Sequence, residues 1–216
     1  MQLLLVRHGE SIGNVTQVMQ TREEPLTERG RRQAREIAAH LAKRDDIQAL
    51  YASPLARAWE TSQIIGAALG MEPEPREDLA EISVGNAAGL TFKQWEERFS
   101  EEAVRFHSEG MHYAFPDGES GIQLGERTAA EIDRILERCR RDQGAVVIVS
   151  HGGALAWILA HLLEEPRDAW PAHQFNNCSV TELTIDPDSS QPVVVCRNEV
   201  GHLSAEPTEE VATGQA

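Results

Sequence analysis

Cysteine is scarce in this chain of 216 residues: Cys139, Cys178 and Cys196 lie far apart, are odd in number and form no Cys-x-x-Cys pair. A disulfide framework or a thiolate zinc site is therefore not expected, and a reducing cytoplasm is the expected setting. Long apolar runs are missing as well. The longest, Gly152 to Leu163, is too short to span a bilayer and contains His161. The chain enters Met1-Gln-Leu-Leu-Leu-Val6 with no basic n-region or small-residue cleavage site, so no leader and no membrane association are expected. Positive charge is also in deficit, with 20 Lys and Arg against 35 Asp and Glu and a formal charge of −15. Such a surface repels nucleic acid and anionic membranes. It repels an anionic small substrate too, so a phosphate-ester site would have to concentrate arginines against the global field.

What is present is ordinary globular material, 41% hydrophobic and 25% charged. Residues 2–6 and Ala145-Val-Val-Ile-Val149 are unbroken apolar runs, as expected of central strands covered on both faces, and Ile47-Gln-Ala-Leu-Tyr51 is a weaker one. Helical spacing follows each. Thr27 precedes a stripe through Ala34, Ile37, Ala38 and Leu41. Pro54 to Leu69 reads as a helix with Ser53 as N-cap and Pro54 in its first turn. Residues 120–141 carry Leu124, Thr128, Ile132, Ile135 and Leu136 on one stripe, and Gly152 to Leu163 reads as a buried helix. Val180–Ile185 and Val193–Cys196 flank Asp-Pro-Asp-Ser-Ser, as a hairpin or a sheet-edge pair.

Alternating strands and helices predict an α/β fold, a three-layer α/β/α sandwich with a mostly parallel central sheet. One domain over residues 1–203 is expected, with 204–216 as a flexible acidic tail. Residues 71–119 break the repeating pattern. A Pro/Glu-rich connection, a Gly-rich loop, one helix from about Phe92 to Ser108 and a turn at Pro116-Asp-Gly118 suggest a helical lid over about 82–119. Trp95, Phe99, Phe106 and Phe115 are spaced as the lid's own apolar face.

Ligands of open α/β sheets bind beyond the carboxyl ends of the strands. Two of the most apolar strands end in histidine loops, Arg7-His8-Gly9-Glu10-Ser11 and Ser150-His151-Gly152-Gly153. If these strands are neighbours, imidazoles 143 positions apart meet at one edge. A neutral imidazole is a competent nucleophile toward phosphorus, and an arginine fork neutralises phosphoryl oxygens with paired donors. Glycine lets the backbone approach closely. A cluster of Arg and His can take the place of a metal ion in such a site. Glu10 and Ser11 read as capping or orienting residues, and His40, His107, His112, His161, His173 and His202 as structural by default.

Leu5-Val-Arg-His-Gly-Glu-Ser-Ile-Gly-Asn14 resembles the signature of the histidine phosphatase superfamily, which includes the cofactor-dependent phosphoglycerate mutases. Pro25-Leu-Thr-Glu-Arg-Gly30, Ser53-Pro-Leu-Ala-Arg-Ala58 with Thr61, Pro116-Asp-Gly-Glu-Ser120 and Ser150-His-Gly-Gly153 follow in the family's order, so the likeness covers roughly residues 2–203. The resemblance implies a phosphoglycerate mutase-like fold and a phosphohistidine on His8. It implies a phosphate pocket of Arg7, Arg57 and His151, with Asn14 and the Gly152 N–H as further donors. Glu81 matches the proton donor to the leaving oxygen and must carry its proton when the ester binds. Gln20 matches a substrate-contacting glutamine of phosphatase members. Two departures bear on substrate preference: Val84-Gly-Asn-Ala-Ala-Gly89 stands where the family has Phe-Gly-x-Trp-Glu-Gly, and Thr21 stands where glycine is common. The inserted segment of true mutases is missing. The expected activity is hydrolysis of a small phosphorylated metabolite without metal or other cofactor, by a monomer or a homodimer. A mutase is the runner-up, and a non-catalytic phosphoester-binding regulator the third reading.

Overall fold

The computed structural model describes residues 1–139, 144–186 and 191–204. The expected tail from 205 onward, the tip of the Asp-Pro-Asp-Ser-Ser turn and the last two residues of the helix predicted over 120–141 lie outside them. Six strands form one mixed sheet in the order β3-β2-β4-β1-β5-β6, comprising β1 (Gln2–Arg7), β2 (Ile47–Ala52), β3 (Glu74–Pro75), β4 (Ala145–Ser150), β5 (Val180–Thr184) and β6 (Val193–Glu199). β1, β2, β3 and β4 run parallel, while β5 and β6 add an antiparallel pair at the edge. That pair is the one expected from the sequence.

Alternation in the strands sends side chains to two cores. Leu4, Val6, Leu50, Ala52, Val147 and Val149 meet α2 (Glu28–Leu41) and α3 (Ala56–Leu69) on one face. Leu3, Leu5, Tyr51, Val146 and Ile148 meet α6 (Gly121–Cys139) and α7 (Gly152–Leu162) on the other. β1 and β4 are buried on both faces, which is why their sequences lack polar alternation. α7 is apolar all round because the sheet covers one side, and α6 and the short turn Arg167–Ala172 cover others. No helix among the described residues is long and apolar enough to cross a membrane.

Three expectations need correction. The helix after β2 starts at Ala56, not Pro54, and Ser53 does not cap it: the residue before it is Leu55, extended and without a side-chain cap bond. Ser53 is held elsewhere, as shown below. The helix predicted from Phe92 to Ser108 is two helices, α4 (Phe92–Arg98) and α5 (Ser100–Glu109), because Phe99 leaves helical geometry at φ −127°, ψ 56°. The break lets Trp95, Phe99 and Phe106 join Tyr113 and Phe115 in one cluster, with the Trp95 ring 5.5 Å from Phe115 and 5.7 Å from Phe106. The Pro/Glu-rich connection holds β3, whose two residues pair with Tyr51 and Ala52 at the sheet edge, where a proline is tolerated. The aromatic cluster itself is as expected, with Trp95 fully buried.

Candidate active site

The register Arg7↔Ser150 between β1 and β4 decides the site, because the next residues on both strands are the two histidines. The ring centroids of His8 and His151 lie 5.1 Å apart, and both side chains are buried. Just past its histidine the first loop is packed too tightly for a side chain. A Cβ on Gly9 would sit 2.4 Å from the Gly30 carbonyl oxygen, and one on Gly30 would sit 2.0 Å from that of Glu10. The first turn of α2, capped by Thr27 and tied through its hydroxyl to the Glu10 carboxylate at 2.7 Å, is thus pressed against the histidine loop. Ser11 caps α1 (Ile12–Thr16) in a capping box with Asn14, the orienting role expected of it.

The His8 Nδ1 lies 2.7 Å from the Gly9 carbonyl oxygen. A carbonyl only accepts, so Nδ1 carries the proton and Nε2 keeps its lone pair. Burial, and then the guanidinium groups of Arg57 and Arg7, hold His8 well below the ordinary imidazole range. It is neutral near pH 7. His151 is depressed in the same way, by burial first and then by Arg57, His8, Arg7 and Arg127. Its Nε2 is 2.8 Å from the Ser53 hydroxyl, and its buried Nδ1 has no partner.

Arg7 and Arg57 are the unusual cations. Arg7 donates from Nη1 to the Phe175 carbonyl at 2.6 Å, and Arg57 from Nη1 to that of Thr21 at 2.9 Å. The Nε of each is buried without a partner, and among the described residues neither forms an ion pair. Burial lowers the pKa of both, that of Arg57 to about 10. Gly152 opens α7, where an N–H has no intrahelical acceptor, and a Cβ built on it would lie 3.6 Å from the Arg7 Nε. Two buried guanidiniums, two neutral imidazoles and a helix N-terminus together make a positive, buried cluster whose chemistry suits a phosphoryl dianion.

Glu81 stands beside this cluster. Its carboxylate accepts from the Ile82 N–H at 3.0 Å and from the Gly153 N–H, in the first turn of α7, at 2.9 Å. Arg127 braces its loop, donating to the carbonyls of Asp78, Ala80 and Glu81 while its guanidinium forms a two-point pair with Glu119. Ser150 Oγ adds a 2.6 Å bond to Leu79 O. Asn14 Oδ1 takes a bond from the Ser11 N–H and shares the single proton of the Ser11 hydroxyl with Gln20 Oε1. Gln20 is joined to the others through Ser11, whose hydroxyl lies 2.8 Å from Gln20 Oε1, and its stem packs on Gly13. His112 is exposed.

Sequence reading missed Ser53 as a partner of His151, because a serine before proline reads first as a helix cap. It also missed Arg127 and Asn177. The signal for Arg127 was the family-like Pro116–Ser120 stretch, whose Glu119 it grips; Asn177 gave none.

Comparison with known proteins adds a second line. A family model described as the histidine phosphatase superfamily (branch 1) matches residues 3–199. A Yersinia pestis protein named "Probable phosphoglycerate mutase GpmB" is 34% identical over 189 residues, covering 85% of this chain and 84% of its own. Among solved structures, a mycobacterial glucosyl-3-phosphoglycerate phosphatase complexed with VO3 superposes with a TM-score of 0.80 at 29% identity, covering 92% of this chain and 99% of that one. The alpha-ribazole phosphatase of Shigella flexneri has a TM-score of 0.84 at 22% identity, covering 92% and 96%, and so shares the fold. With its paired histidine loops on adjacent strands and a family match over nearly its whole length, the chain belongs to the histidine phosphatase superfamily, branch 1.

Proposed function

We propose that this histidine phosphatase is a metal-independent phosphomonoesterase that hydrolyses a small phosphorylated metabolite through a phosphohistidine on His8. The family and its phosphatase neighbours give the reaction class, a phosphoric monoester hydrolase. The observation that carries the finer reading is the neutral His8, its Nδ1–H spent on Gly9 and its Nε2 lone pair free, beside two buried guanidiniums without carboxylate partners. In the first step Nε2 attacks phosphorus and the P–O bond to the leaving group breaks. Arg7, Arg57, His151 and the Gly152 N–H hold the equatorial oxygens, and Asn14 adds a donor. Glu81 gives its proton to the departing oxygen. In the second step Glu81, now a carboxylate, takes a proton from water as that water attacks phosphorus, and inorganic phosphate leaves with His8 restored. With the Ser53 hydroxyl as donor to His151 Nε2, a proton stays on Nδ1 for the anion. Gln20, on the Ser11 hydroxyl, contacts the leaving group.

The mutase reading is favoured by the name of the curated Yersinia relatives and needs a bisphosphate held between half-reactions. The segment between Ile82 and Pro116 speaks against that. Its only cations are Lys93, Arg98 and Arg105, against five glutamates, or seven acids with Glu81 and Asp117 included. Arg105 is engaged by Glu102 and Glu109, and Lys93 lies 3.9 Å from Glu97. Incubation with 3-phosphoglycerate and bisphosphoglycerate, scored for isomer against inorganic phosphate, separates the two; hydrolysis is expected. His8→Ala abolishes turnover of p-nitrophenyl phosphate and a chelator leaves the native enzyme unchanged. Chelator-sensitive turnover would overturn the metal-free assignment.

A further inference from the structure

The segment His173–Cys178 carries none of the recognised motifs, yet it touches the histidine loop at four points and α1 at a fifth. Phe175 O receives Arg7 Nη1 at 2.6 Å. The Cys178 N–H donates to the carbonyls of Arg7 and His8, at 3.1 and 3.3 Å. Asn177 Nδ2 supplies the other two, to His8 O at 3.0 Å and to Asn14 Oδ1 at 3.1 Å. Outside the site the segment is fixed by Asn198, whose Oδ1 accepts from the Asn176 N–H at 2.6 Å, and by His202, whose ring bonds Cys178 O at 2.9 Å.

The two acceptors of Asn177 settle its own amide orientation, since its oxygen in their place would face a carbonyl and another amide oxygen. They also settle that of Asn14. Its Oδ1 meets the Ser11 N–H at 3.1 Å, the Ser11 hydroxyl at 2.9 Å and Asn177 Nδ2 at 3.1 Å. Turned over, the Asn14 amide would set its own N–H groups against two fixed donors. The Ser11 bonds are local to one turn, so Asn177 is the link that references Asn14 to the histidine strand.

We infer that Asn177 is a positioning residue for phosphoryl transfer: by binding His8 O and Asn14 Oδ1 with one carboxamide, it holds the Asn14 NH2 as an anion donor at a fixed offset from the nucleophile. This rests on His8 being that nucleophile. Asn177 itself touches neither the phosphoryl group nor the imidazole in this scheme; it acts through the other two residues. A one-residue support of this kind matters because a donor counts in the transition state only when its position is set beforehand.

The test uses Asn177→Asp, Asn177→Ala, Asn14→Ala and the double variant Asn14→Ala/Asn177→Ala, each checked by thermal melting. Asn177→Asp keeps shape and removes the donor, so it carries the test if the alanine variant does not fold. The readouts are competitive inhibition by inorganic phosphate, and kcat and KM with p-nitrophenyl phosphate. Asn177→Asp is expected to weaken phosphate inhibition ~10- to 100-fold, the worth of one hydrogen bond to a charged group, and to lower kcat as well. In phosphate inhibition the double variant is expected to be no worse than Asn14→Ala alone, because the second change removes a support whose load is already gone. Native-like phosphate inhibition by Asn177→Asp, or losses that multiply in the double variant, would overturn the inference. His8→Ala run in parallel separates the two claims: turnover surviving there sinks the nucleophile assignment, whatever Asn177 does.

Discussion

Gly153→Ala offers a sharp perturbation of the proposed acid that displaces its carboxyl without changing it chemically. A Cβ built on Gly153 lies 2.6 Å from Glu81 Oε1 and 3.2 Å from Cδ and Oε2. To reach ordinary contact the carboxyl must retreat by roughly 0.5–1 Å. It sits at the end of a flexible side chain, so the retreat strains little, and Gly153 has no positive φ that alanine would resist. Alanine is also the better helix former by up to about 1 kcal/mol. The variant should therefore melt at or slightly above the native temperature. Its chemistry should not survive so well. A misplacement of about 1 Å can cost about 100-fold, equivalent to about 2.7 kcal/mol of transition-state stabilisation. That loss falls on esters whose alkoxide needs a proton, whereas nitrophenolate leaves without one. The quantity to compare is kcat/KM, which reports phosphorylation of His8 even where breakdown of phosphohistidine limits kcat. For an alkyl phosphate such as glycerol phosphate it should drop about 100-fold; for p-nitrophenyl phosphate the drop should stay within about threefold. Glu81→Gln should show the same split. Equal losses on both esters, or none on either, would refute the placement of Glu81 as acid.

Three further outcomes follow from the buried charges and the packing. Arg57→Met removes a buried cation that no carboxylate pairs with and that Glu81 and Glu24 offset only through space, at the cost of one donor to the Thr21 carbonyl. Its melting point without phosphate should rise by roughly 3–10 °C, from a net gain of about 1–3 kcal/mol, while phosphate at 100 times its native Kd, which adds about 2.7 kcal/mol to the native protein, adds nothing; a lower melting point in phosphate-free buffer counts against the reasoning. His8 and His151 are held neutral in the fold, but in the unfolded chain they titrate near the ordinary value of about 6.5. Above that pH neither contributes; below it the unfolded state binds the extra protons, so stability falls with pH by up to about 1.4 kcal/mol per unit for each histidine. Urea unfolding at pH 7.5 and 5.5 should show a smaller loss in His8→Gln/His151→Gln than in the native protein, and equal losses would contradict it. Gly9→Ala drives a Cβ into the backbone of Gly30, which cannot swing aside, so both stability and activity should be lost together, as read by melting and by p-nitrophenyl phosphate turnover.

The central sheet was legible because β1 and β4 are buried on both faces and therefore spelled out in unbroken apolar letters, and the histidines follow them directly. The start of the helix after Thr27 was legible from its apolar stripe, and the Thr27 hydroxyl accepts from the Gly30 N–H in that first turn. The role of Ser53 was not legible, since its hydroxyl turns to His151, 98 positions away, and a local rule cannot see so remote a partner. The break at Phe99 was hidden for a similar reason. Residues 92–108 suit a helix throughout, and only the pull of Phe99 into a cluster with Tyr113 and Phe115 divides it. Asn177 lies furthest from any sequence signal: it works through a backbone carbonyl and another amide, which leave no trace in residue type or spacing.

Elsewhere among the described residues a partly buried guanidinium is met by a carboxylate. Arg44 has Asp46 and Glu182, Arg76 has Glu74 and Glu131, and Arg127 has Glu119. Arg7 and Arg57 are more deeply desolvated and have carbonyl oxygens instead, in a chain with 35 acidic residues to draw on. Stability alone would favour a carboxylate at that spot, because it would relieve both cations and the two imidazoles they depress. A carboxylate there would also compete with the phosphoryl group for the same donors. Glu81 acts on both cations through space without pairing with either, so the free protein keeps a cluster of like charge that, on the proposed function, a dianion relieves on binding. On the proposed function, the repulsion whose removal is expected to stabilise Arg57→Met is the energy that draws an anion into an otherwise negative molecule, and a preference for a dianionic phosphoryl group over a neutral ligand is expected from it.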